Sequence, residues 1–158
     1  MRPTAKHWAL AAAAGSAALM LGALAFQHIG GMAPCKLCIW QRYPHVAAIA
    51  LGALVLALPA KALRWLAGAG TLAALSTAGI GFYHSGVERG WWEGPASCSG
   101  GPVAGQSAQD LLAQIMAAPL VRCDEIPWEM LGLSMASWNG IASLGLAGLW
   151  LMAWRAAR

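Results

Sequence analysis

The sequence predicts an all-α membrane protein: a bundle of four transmembrane helices with a short interfacial helix in one long loop. Apolar residues make up 59% of the 158-residue chain and charged residues only 10%, against roughly 45–50% and about 25% in soluble domains. Four long stretches contain no charged residue, and every acidic residue lies in one segment. This composition excludes intrinsic disorder, and so few charges cannot cover a soluble globular domain.

The four expected helices coincide with the stretches that lack Asp, Glu, Lys and Arg, at residues 7–35, 43–60, 65–87 and 130–154. A helix needs about 20 mostly apolar residues to cross a hydrocarbon core. The stretches are rich in Ala, Leu and Gly and do not alternate, so helices are favoured over strands. We expect one membrane domain over residues 1–158, with a loop at about 86–135 and transmembrane helices at about residues 8–29, 39–58, 65–84 and 136–154.

The orientation of these helices follows from the positions of the charges. Basic residues flank the stretches at both termini and in the 61–64 turn, and these three regions contain no acid. By the positive-inside rule, both termini are cytoplasmic and the long loop lies on the opposite side. The basic residues form no single surface, so no nucleic-acid partner is expected. The acidic residues all lie in the long loop: Glu88, Glu93, Asp110, Asp124, Glu125 and Glu129.

The N-terminal segment has an alternative interpretation as a secretory signal. It has a basic start, an apolar run and a small-residue site at Ala23-Leu24-Ala25. The apolar stretch, however, continues from Trp8 to Ile29, which is longer than the usual signal core of about 7–15 residues. We therefore expect an uncleaved transmembrane helix.

Four cysteines, Cys35, Cys38, Cys98 and Cys123, lie on the non-cytoplasmic side in this topology, where disulfide chemistry is favoured. The first two form a Cys-x-x-Cys, a spacing typical of a reversible redox pair. The second uncharged stretch is short, so its helix should begin near Cys38 to Arg42, with the pair at its first turn. The helix N-terminus and Arg42, one turn after Cys38, would both stabilise a thiolate.

Two other interpretations of the cysteines are a zinc site and a pair of static disulfides. Cys98 and Cys123 are 25 residues apart and do not form a second Cys-x-x-Cys, which disfavours zinc. A membrane bundle has little need of structural disulfides. No metal site is expected, and a redox role for the cysteines is favoured.

The motifs around these cysteines resemble those of the bacterial disulfide-bond formation B (DsbB) family. The resemblance covers about residues 20–140, with the order and spacing of the cysteines intact. Vitamin K epoxide reductase-like proteins also combine four helices with Cys-x-x-Cys, but their loop cysteines precede that motif. The matching segments are Ala33-Pro34-Cys35-Lys36-Leu37-Cys38-Ile39-Trp40-Gln41-Arg42, Phe26-Gln27-His28, Tyr83-His84, and Leu131-Gly132-Leu133-Ser134-Met135 with Trp138.

This resemblance implies a disulfide-forming protein-dithiol:quinone oxidoreductase of the bacterial inner membrane, with its cysteines on the periplasmic side. Its partner would be a periplasmic thioredoxin-fold dithiol oxidase (DsbA-like), and its electron acceptor ubiquinone or menaquinone. Cys98 and Cys123 would form a shuttle disulfide, with Cys98 attacked by the partner, and Cys123 would exchange with Cys35. Cys38 would meet the quinone.

Two further residues are candidate quinone ligands by the same resemblance. Arg42 would stabilise charge that develops at Cys38, and His84 would be a hydrogen-bond partner of the quinone. A role for His28 is less favoured than that of an interfacial residue, and Lys36 is assigned no specific role. A dinucleotide-like pattern at residues 68–73 lies in an apolar helix with no preceding strand, so helix packing explains it better.

The long loop is expected to contain an amphipathic helix that lies on the membrane. Ser107 to Asp110 form a weak capping signal, and four apolar residues share one face after it: Leu111, Leu112, Ile115 and Met116. Cys98 lies in a Gly- and Pro-rich part that suits an extended segment entering a partner's groove. Four tryptophans are expected as interfacial anchors, with quinone stacking as the minor alternative: Trp91, Trp92, Trp128 and Trp138.

Two functional alternatives stay open at this point. One is a specialised paralogue that serves a single dedicated oxidoreductase. The other is a non-enzymatic membrane subunit whose disulfides are static. The second predicts that the protein resists thiol exchange and tolerates loss of Cys35.

Overall fold

The computed structural model describes residues 4–95, 98, 107–117 and 121–157. The chain is mostly helical: α1 (Ala5–His28), α2 (Lys36–Ala57), α3 (Leu63–Glu88), α4 (Ala108–Ala117) and α5 (Met135–Ala156). A 3₁₀ turn, Ala60–Ala62, precedes α3. The expectation of a purely helical chain needs one correction, because β1 (Glu129–Met130) and β2 (Leu133–Ser134) form a small antiparallel pair.

The four long helices close into a ring in which α1 packs against α2, α2 against α3, α3 against α5 and α5 against α1. The buried core is built mainly from alanine, which lets the helix backbones approach closely. Larger buried side chains, such as Val55 and Trp150, fill the remaining space. Leucine, tryptophan and tyrosine instead lie exposed on the outer faces, for example Leu21, Tyr43, Leu72 and Trp65.

Two helices in the described part of the chain are long and apolar enough to cross a membrane. They are Ala5–His28, with a mean hydropathy of 1.9, and Ala60–Glu88, with 1.3. Polar residues reduce the hydropathy of α2 and α5, because Gln41, Arg42 and His45 lie in the first half of α2 and Asn139 lies in α5. These polar residues belong to the site described below.

The backbones of α3 and α5 approach each other closely at Gly81. A Cβ at this position would lie 3.0 Å from the Cα and N of Gly140 and 3.1 Å from the carbonyl O of Ala136. Since those atoms are backbone, they can move only if the helices separate. The contact holds the C-terminal turns of α3 beside the start of α5.

Gly81→Ala should therefore destabilise the bundle, although alanine favours helix formation by roughly 0.5–1 kcal/mol over glycine. Overpacking of this kind costs about 1–3 kcal/mol, so the thermal unfolding midpoint in detergent should fall. Gly79→Ala is the matched control, since a Cβ there meets nothing within 4 Å, and its midpoint should stay or rise. Equal midpoints for the two variants would contradict the close approach.

A tight hairpin fixes the segment that enters α5. Leu131 and Gly132, with φ of 54° and 75°, form the turn between β1 and β2, and positive φ at both central positions is typical of two-residue hairpins. Arg89 Nη2 donates to the carbonyl O of Gly132 at 2.7 Å, which ties the hairpin to the end of α3. Ser134 then caps α5 by accepting from the Ser137 N–H at 3.2 Å.

Several loop predictions fall wholly or partly outside the described residues. The expected loop helix is present as α4, and Leu112 and Met116 on it are exposed. The side chains of Leu111 and Ile115 lie outside the described set, as do residues 99–106 of the Gly- and Pro-rich segment. His28 is exposed at the end of α1.

Candidate active site

The Cys-x-x-Cys begins α2. Cys35 is the N-cap, with extended backbone angles, and its Sγ accepts a hydrogen bond from the Cys38 N–H at 3.2 Å. The helix thus begins at Lys36, slightly earlier than the position predicted between Cys38 and Arg42. Both cysteines are free thiols, Cys35 buried and Cys38 partly exposed, and their sulfurs lie 2.8 Å apart with Cys35 as donor.

The two sulfurs are electrostatically unequal. Cys38 lies in the first helical turn, just before the expected membrane span, and the hydrogen bond donated by the Cys35 thiol lowers the pKa of Cys38. The same hydrogen bond, together with burial, raises the pKa of Cys35. Cys38 is therefore the sulfur that ionises, and Cys35 is the one that keeps its proton.

This difference predicts how the pair reacts with iodoacetamide. The Cys38 thiolate should persist as the pH falls below the usual thiol range, so its alkylation rate should fall less steeply with pH than that of an ordinary thiol. An ordinary thiol near pKa 8.5 loses about tenfold in thiolate per pH unit below that value. Mass spectrometry of the modified peptides measures both sites. Cys35→Ala removes the donor and should restore the ordinary slope at Cys38; an ordinary slope in the unmodified protein would contradict the assignment.

The second cysteine pair lies against the first. Cys98 and Cys123 are joined in a disulfide, both fully buried in a cluster with Cys35, Leu37 and Val87. The Cys35 Sγ, His84 Nε2 and Cys123 Sγ all lie within 4.8 Å of one another. The structure thus brings together Cys35 and Cys123, which the sequence analysis linked only through a family resemblance. Cys98 is not extended towards solvent but is covered.

The same three groups are close enough to hold a metal ion. The Cys123 sulfur is bonded to Cys98, however, and a metal ligand must be a thiolate. With this disulfide formed, the cluster offers two ligands, whereas a protein zinc site uses at least three.

His84 lies between the sulfurs and a carboxylate. Its Nε2 is 3.5 Å from the Cys35 Sγ and 3.8 Å from the Glu88 Oε1, and its Nδ1 is 2.9 Å from the Gln41 Nε2. Asn139 donates to the Gln41 Oε1 at 2.7 Å, which fixes the orientation of the Gln41 amide. Gln41 therefore donates to Nδ1, and the proton of neutral His84 resides on Nε2.

Gln41 and Glu88 were not predicted as site residues. Both lie one helical turn from a residue that was predicted, Gln41 three positions after Cys38 and Glu88 four after His84. Residues at these spacings share a helix face, and this signal could have identified them. Ser134 donates a short hydrogen bond to the Glu88 Oε2, so the carboxylate is buried with a partner.

Arg42 extends from α2 to α1, where its Nη1 donates to the Gln27 Oε1 at 2.6 Å. Its charge also favours the Cys38 thiolate, although less than the Cys35 hydrogen bond does. The expected position of a cation on the Cys38 face of α2 is thus observed, with Gln27 as an additional partner.

A cavity of about 580 Å³ opens beside these groups. Its polar wall contains Cys35, Cys38, Arg42, His84 and Glu88. Two of the four tryptophans expected as interfacial anchors, Trp128 and Trp138, are among its aromatic and apolar lining, which also includes Phe26, Met32, Pro34, Val121, Ile126 and Met135. A mostly apolar cavity with a few convergent polar groups is typical of a small-molecule site.

A family model described as disulfide bond formation protein DsbB matches residues 5–153, a range that includes all four cysteines and the cavity. The chain belongs to the DsbB family. It is similar to disulfide bond formation protein B of Methylococcus capsulatus, at 37% identity over 87% of each chain. The proteins of the same name from Verminephrobacter eiseniae and Polaromonas naphthalenivorans are 34% and 33% identical, over 86% and 89% of this chain and 77% and 87% of the relative. No solved structure matches this DsbB-family chain.

Proposed function

We propose that this DsbB-family chain is a membrane dithiol:quinone oxidoreductase that reoxidises a DsbA-like periplasmic partner and passes the electrons to ubiquinone or menaquinone. The observation that carries the proposal is the contact of Cys35 with both Cys123 and Cys38 at the wall of one cavity. Electrons entering at the Cys98–Cys123 disulfide can thus reach the cavity through adjacent sulfur atoms.

The proposed route is a series of thiol–disulfide exchanges. A thiolate of the partner attacks Cys98, and the Cys98–Cys123 bond breaks. Cys123 then attacks Cys35 in a Cys35–Cys38 disulfide, which leaves the electron pair on Cys38. Because Cys98 is fully buried, the first attack requires the loop to move away from Leu37 and Val87.

The cavity suits a quinone ring in size and lining. It is of the usual scale for ligand sites, about 300–1,000 Å³. When bound, a quinone supplies a lipid-soluble acceptor for two electrons and two protons. We infer that Cys38 faces it as a thiolate, while Arg42 and His84 offer N–H donors to its oxygens. Trp128 and Trp138 offer aromatic faces to the ring.

We further propose that α1, α2, α3 and α5 all cross the bacterial inner membrane, with both termini cytoplasmic and the cysteines periplasmic. In support of this proposal, α2 and α5, like α1 and α3, carry exposed apolar residues on their outer faces, such as Val46, Leu56, Leu144 and Met152. The expected spans, about residues 8–29, 39–58, 65–84 and 136–154, correspond to these helices. We assign α4 to the membrane surface, because the exposed Leu112 and Met116 suit an interfacial position.

The test mixes the purified full chain with a reduced thioredoxin-like partner and a soluble quinone, and follows quinone absorbance and partner thiols. We expect one quinone reduced for each partner disulfide formed. No quinone reduction by the intact protein would overturn the enzyme proposal and favour a membrane subunit with static disulfides. Reduction with one partner but not with other thioredoxin-like proteins would indicate a dedicated paralogue.

Arg42→Ala should raise the quinone KM in this assay by roughly 10-fold or more, since a charge-assisted hydrogen bond contributes about 1.5–3 kcal/mol. The variant should fold, because Arg42 is not a core residue and its protein partner, Gln27, is itself only partly buried. Arg64→Ala is the control: Arg64 lies over the Trp154 ring near the other end of the bundle, and its loss should leave the KM unchanged. An unchanged KM in Arg42→Ala would remove Arg42 from the quinone site.

A further inference from the structure

When a disulfide forms between Cys35 and Cys38, the Cys35 proton must be accepted by a group other than the two sulfurs. Cys38 is the sulfur that ionises, whereas Cys35 keeps its proton and donates a hydrogen bond to Cys38. To bond with Cys38, the Cys35 sulfur must lose this proton. The Cys35 sulfur is buried, so a nearby group has to accept the proton.

Apart from Cys38 itself, the titratable group closest to Cys35 is His84, which cannot be this acceptor. Its Nδ1 lone pair is occupied by the Gln41 amide, and its Nε2 carries a proton. Neutral His84 therefore has no free lone pair towards the sulfur. Its ring N–H, which also hydrogen-bonds the Cys123 backbone, lies 3.5 Å from the Cys35 Sγ and helps to stabilise the thiolate once the proton has left.

Glu88 is a buried residue near Cys35 and His84 whose carboxylate oxygen Oε1 can accept a proton. Its Oε1 lies 3.8 Å from the same His84 Nε2 that lies 3.5 Å from the Cys35 Sγ, so the sulfur and the carboxylate are neighbours of one histidine nitrogen. Both also line the cavity, where a single water molecule can bridge a sulfur and an oxygen separated in this way. Glu125, a second carboxylate at the cavity wall, is exposed and lies 3.4 Å from the Arg122 Nε.

We propose that the Glu88 carboxylate accepts the proton that the Cys35 thiol loses when the Cys35–Cys38 disulfide forms. The S–H bond of Cys35 breaks and an O–H bond forms on Glu88. The electron pair left on the Cys35 sulfur forms the S–S bond, and the electron pair of Cys38 leaves to the oxidant, which in the proposed function is a quinone. The proton then leaves Glu88 for the reduced oxidant. Ser134 holds the carboxylate in place through its Oε2, which leaves Oε1 for this role.

This inference deepens the proposed function, but its test does not need quinone. In a quinone-free protein with the Cys98–Cys123 disulfide intact, 4,4′-dithiodipyridine reacts first with Cys38 and releases one thiopyridone. Cys35 then attacks the mixed disulfide and releases a second, so the second release measures the step at which Cys35 loses its proton. We expect Glu88→Gln to slow the second release at least about tenfold, as general-base catalysis typically contributes 10²–10⁴-fold. The first release should not slow, because the Glu88 charge raises the pKa of Cys38 and its removal favours the thiolate.

The pH profile separates a proton acceptor from a structural residue. With Glu88 present, the second release should rise with pH and level off below the usual thiol range, because the carboxylate is already ionised there. With Gln it should rise steadily to alkaline pH. Glu88→Asp should restore the early plateau. The other groups that act on Glu88 are His84 on its own helix, Arg89 directly after that helix, Cys38 on α2, Glu129 on β1 and the uncharged Ser134 on β2.

Glu93→Gln is the matched control, since Glu93 is an exposed carboxylate outside the cavity lining, and both releases should match the unmodified protein. Equal second-release rates and profiles in Glu88→Gln and the unmodified protein would overturn the inference. If Glu88→Gln does not fold, the unmodified protein decides: a second release that rises tenfold per pH unit up to the usual thiol range would also overturn it. Absence of quinone reduction with a slow second release in Glu88→Gln would overturn the proposed function alone.

Discussion

Replacement of Cys38 by serine is expected to reduce quinone reduction by at least about 10³-fold, to the uncatalysed background. The hydrogen bond from the Cys35 thiol, with a smaller contribution from the Arg42 charge, lowers the pKa of Cys38, whereas a serine hydroxyl in the same position remains protonated. It can neither carry the electron pair nor form the disulfide with Cys35. The loss should therefore appear in kcat, and raising the quinone concentration should not restore the rate.

The same variant should accumulate an intermediate that identifies the route. Without Cys38, Cys35 can exchange only with its other sulfur neighbour, Cys123. Attack of the deprotonated Cys35 on Cys123 breaks the Cys98–Cys123 bond and releases Cys98 as a free thiol, so peptide mapping should find a Cys35–Cys123 bond together with an unpaired Cys98. Lys36→Ala is the control within the motif, and it should keep activity within about threefold, since an exposed charge changes local potentials only modestly. Cys38→Ser activity above a tenth of normal would contradict the assignment of Cys38.

Sequence alone predicts the features that are encoded by residues close to one another in the chain. The charge-free stretches identify the long helices, and the Cys-x-x-Cys followed by Arg42 identifies the first turn of α2 as reactive. These signals depend on composition and on spacings within one helix, so no knowledge of the packing between helices is needed.

The end of α3 shows where such signals fail. The uncharged stretch stops at Val87, and Glu88 was assigned to the loop because the expected membrane span was bounded by that stretch. The helix includes Glu88, because two residues satisfy its carboxylate. Ser134 lies far along the sequence, and His84 lies one turn back in the same helix. A partner 46 residues away depends on how α3 and α5 pack, and no local pattern encodes it.

The loop departs from its predicted form for related reasons. The hairpin at residues 129–134 has strands of two residues, too short for any periodicity, and only Leu131-Gly132 signals its turn. Cys98 was predicted in an extended segment because its neighbours are glycine and proline. Its bond to Cys123 and its contact with Leu37 and Val87 bury it, which local composition cannot indicate.

Loss of the second cysteine pair should separate the two halves of the reaction. We expect the Cys98→Ser, Cys123→Ser double variant to lose at least about 10³-fold in quinone reduction driven by the protein partner, because the partner then has no disulfide to attack. Quinone reduction driven by dithiothreitol should stay within about threefold of normal. A small dithiol can enter the open cavity and reduce a Cys35–Cys38 disulfide directly, since both cysteines line it.

The comparison with Cys38→Ser makes this result decisive. That variant should lose quinone reduction with both electron donors, whereas the double variant should lose it only with the protein donor. Cys98→Ala, Cys123→Ala serves as a second version that excludes effects of the serine hydroxyls, and the thermal unfolding midpoint reports whether the bundle is intact. If the double variant still accepts electrons from the partner, Cys35 is attacked directly, and the relay through Cys123 is wrong. If it loses both activities while folded, the segment that carries Cys123 is needed to form the cavity wall, consistent with Val121 and Trp128 in its lining.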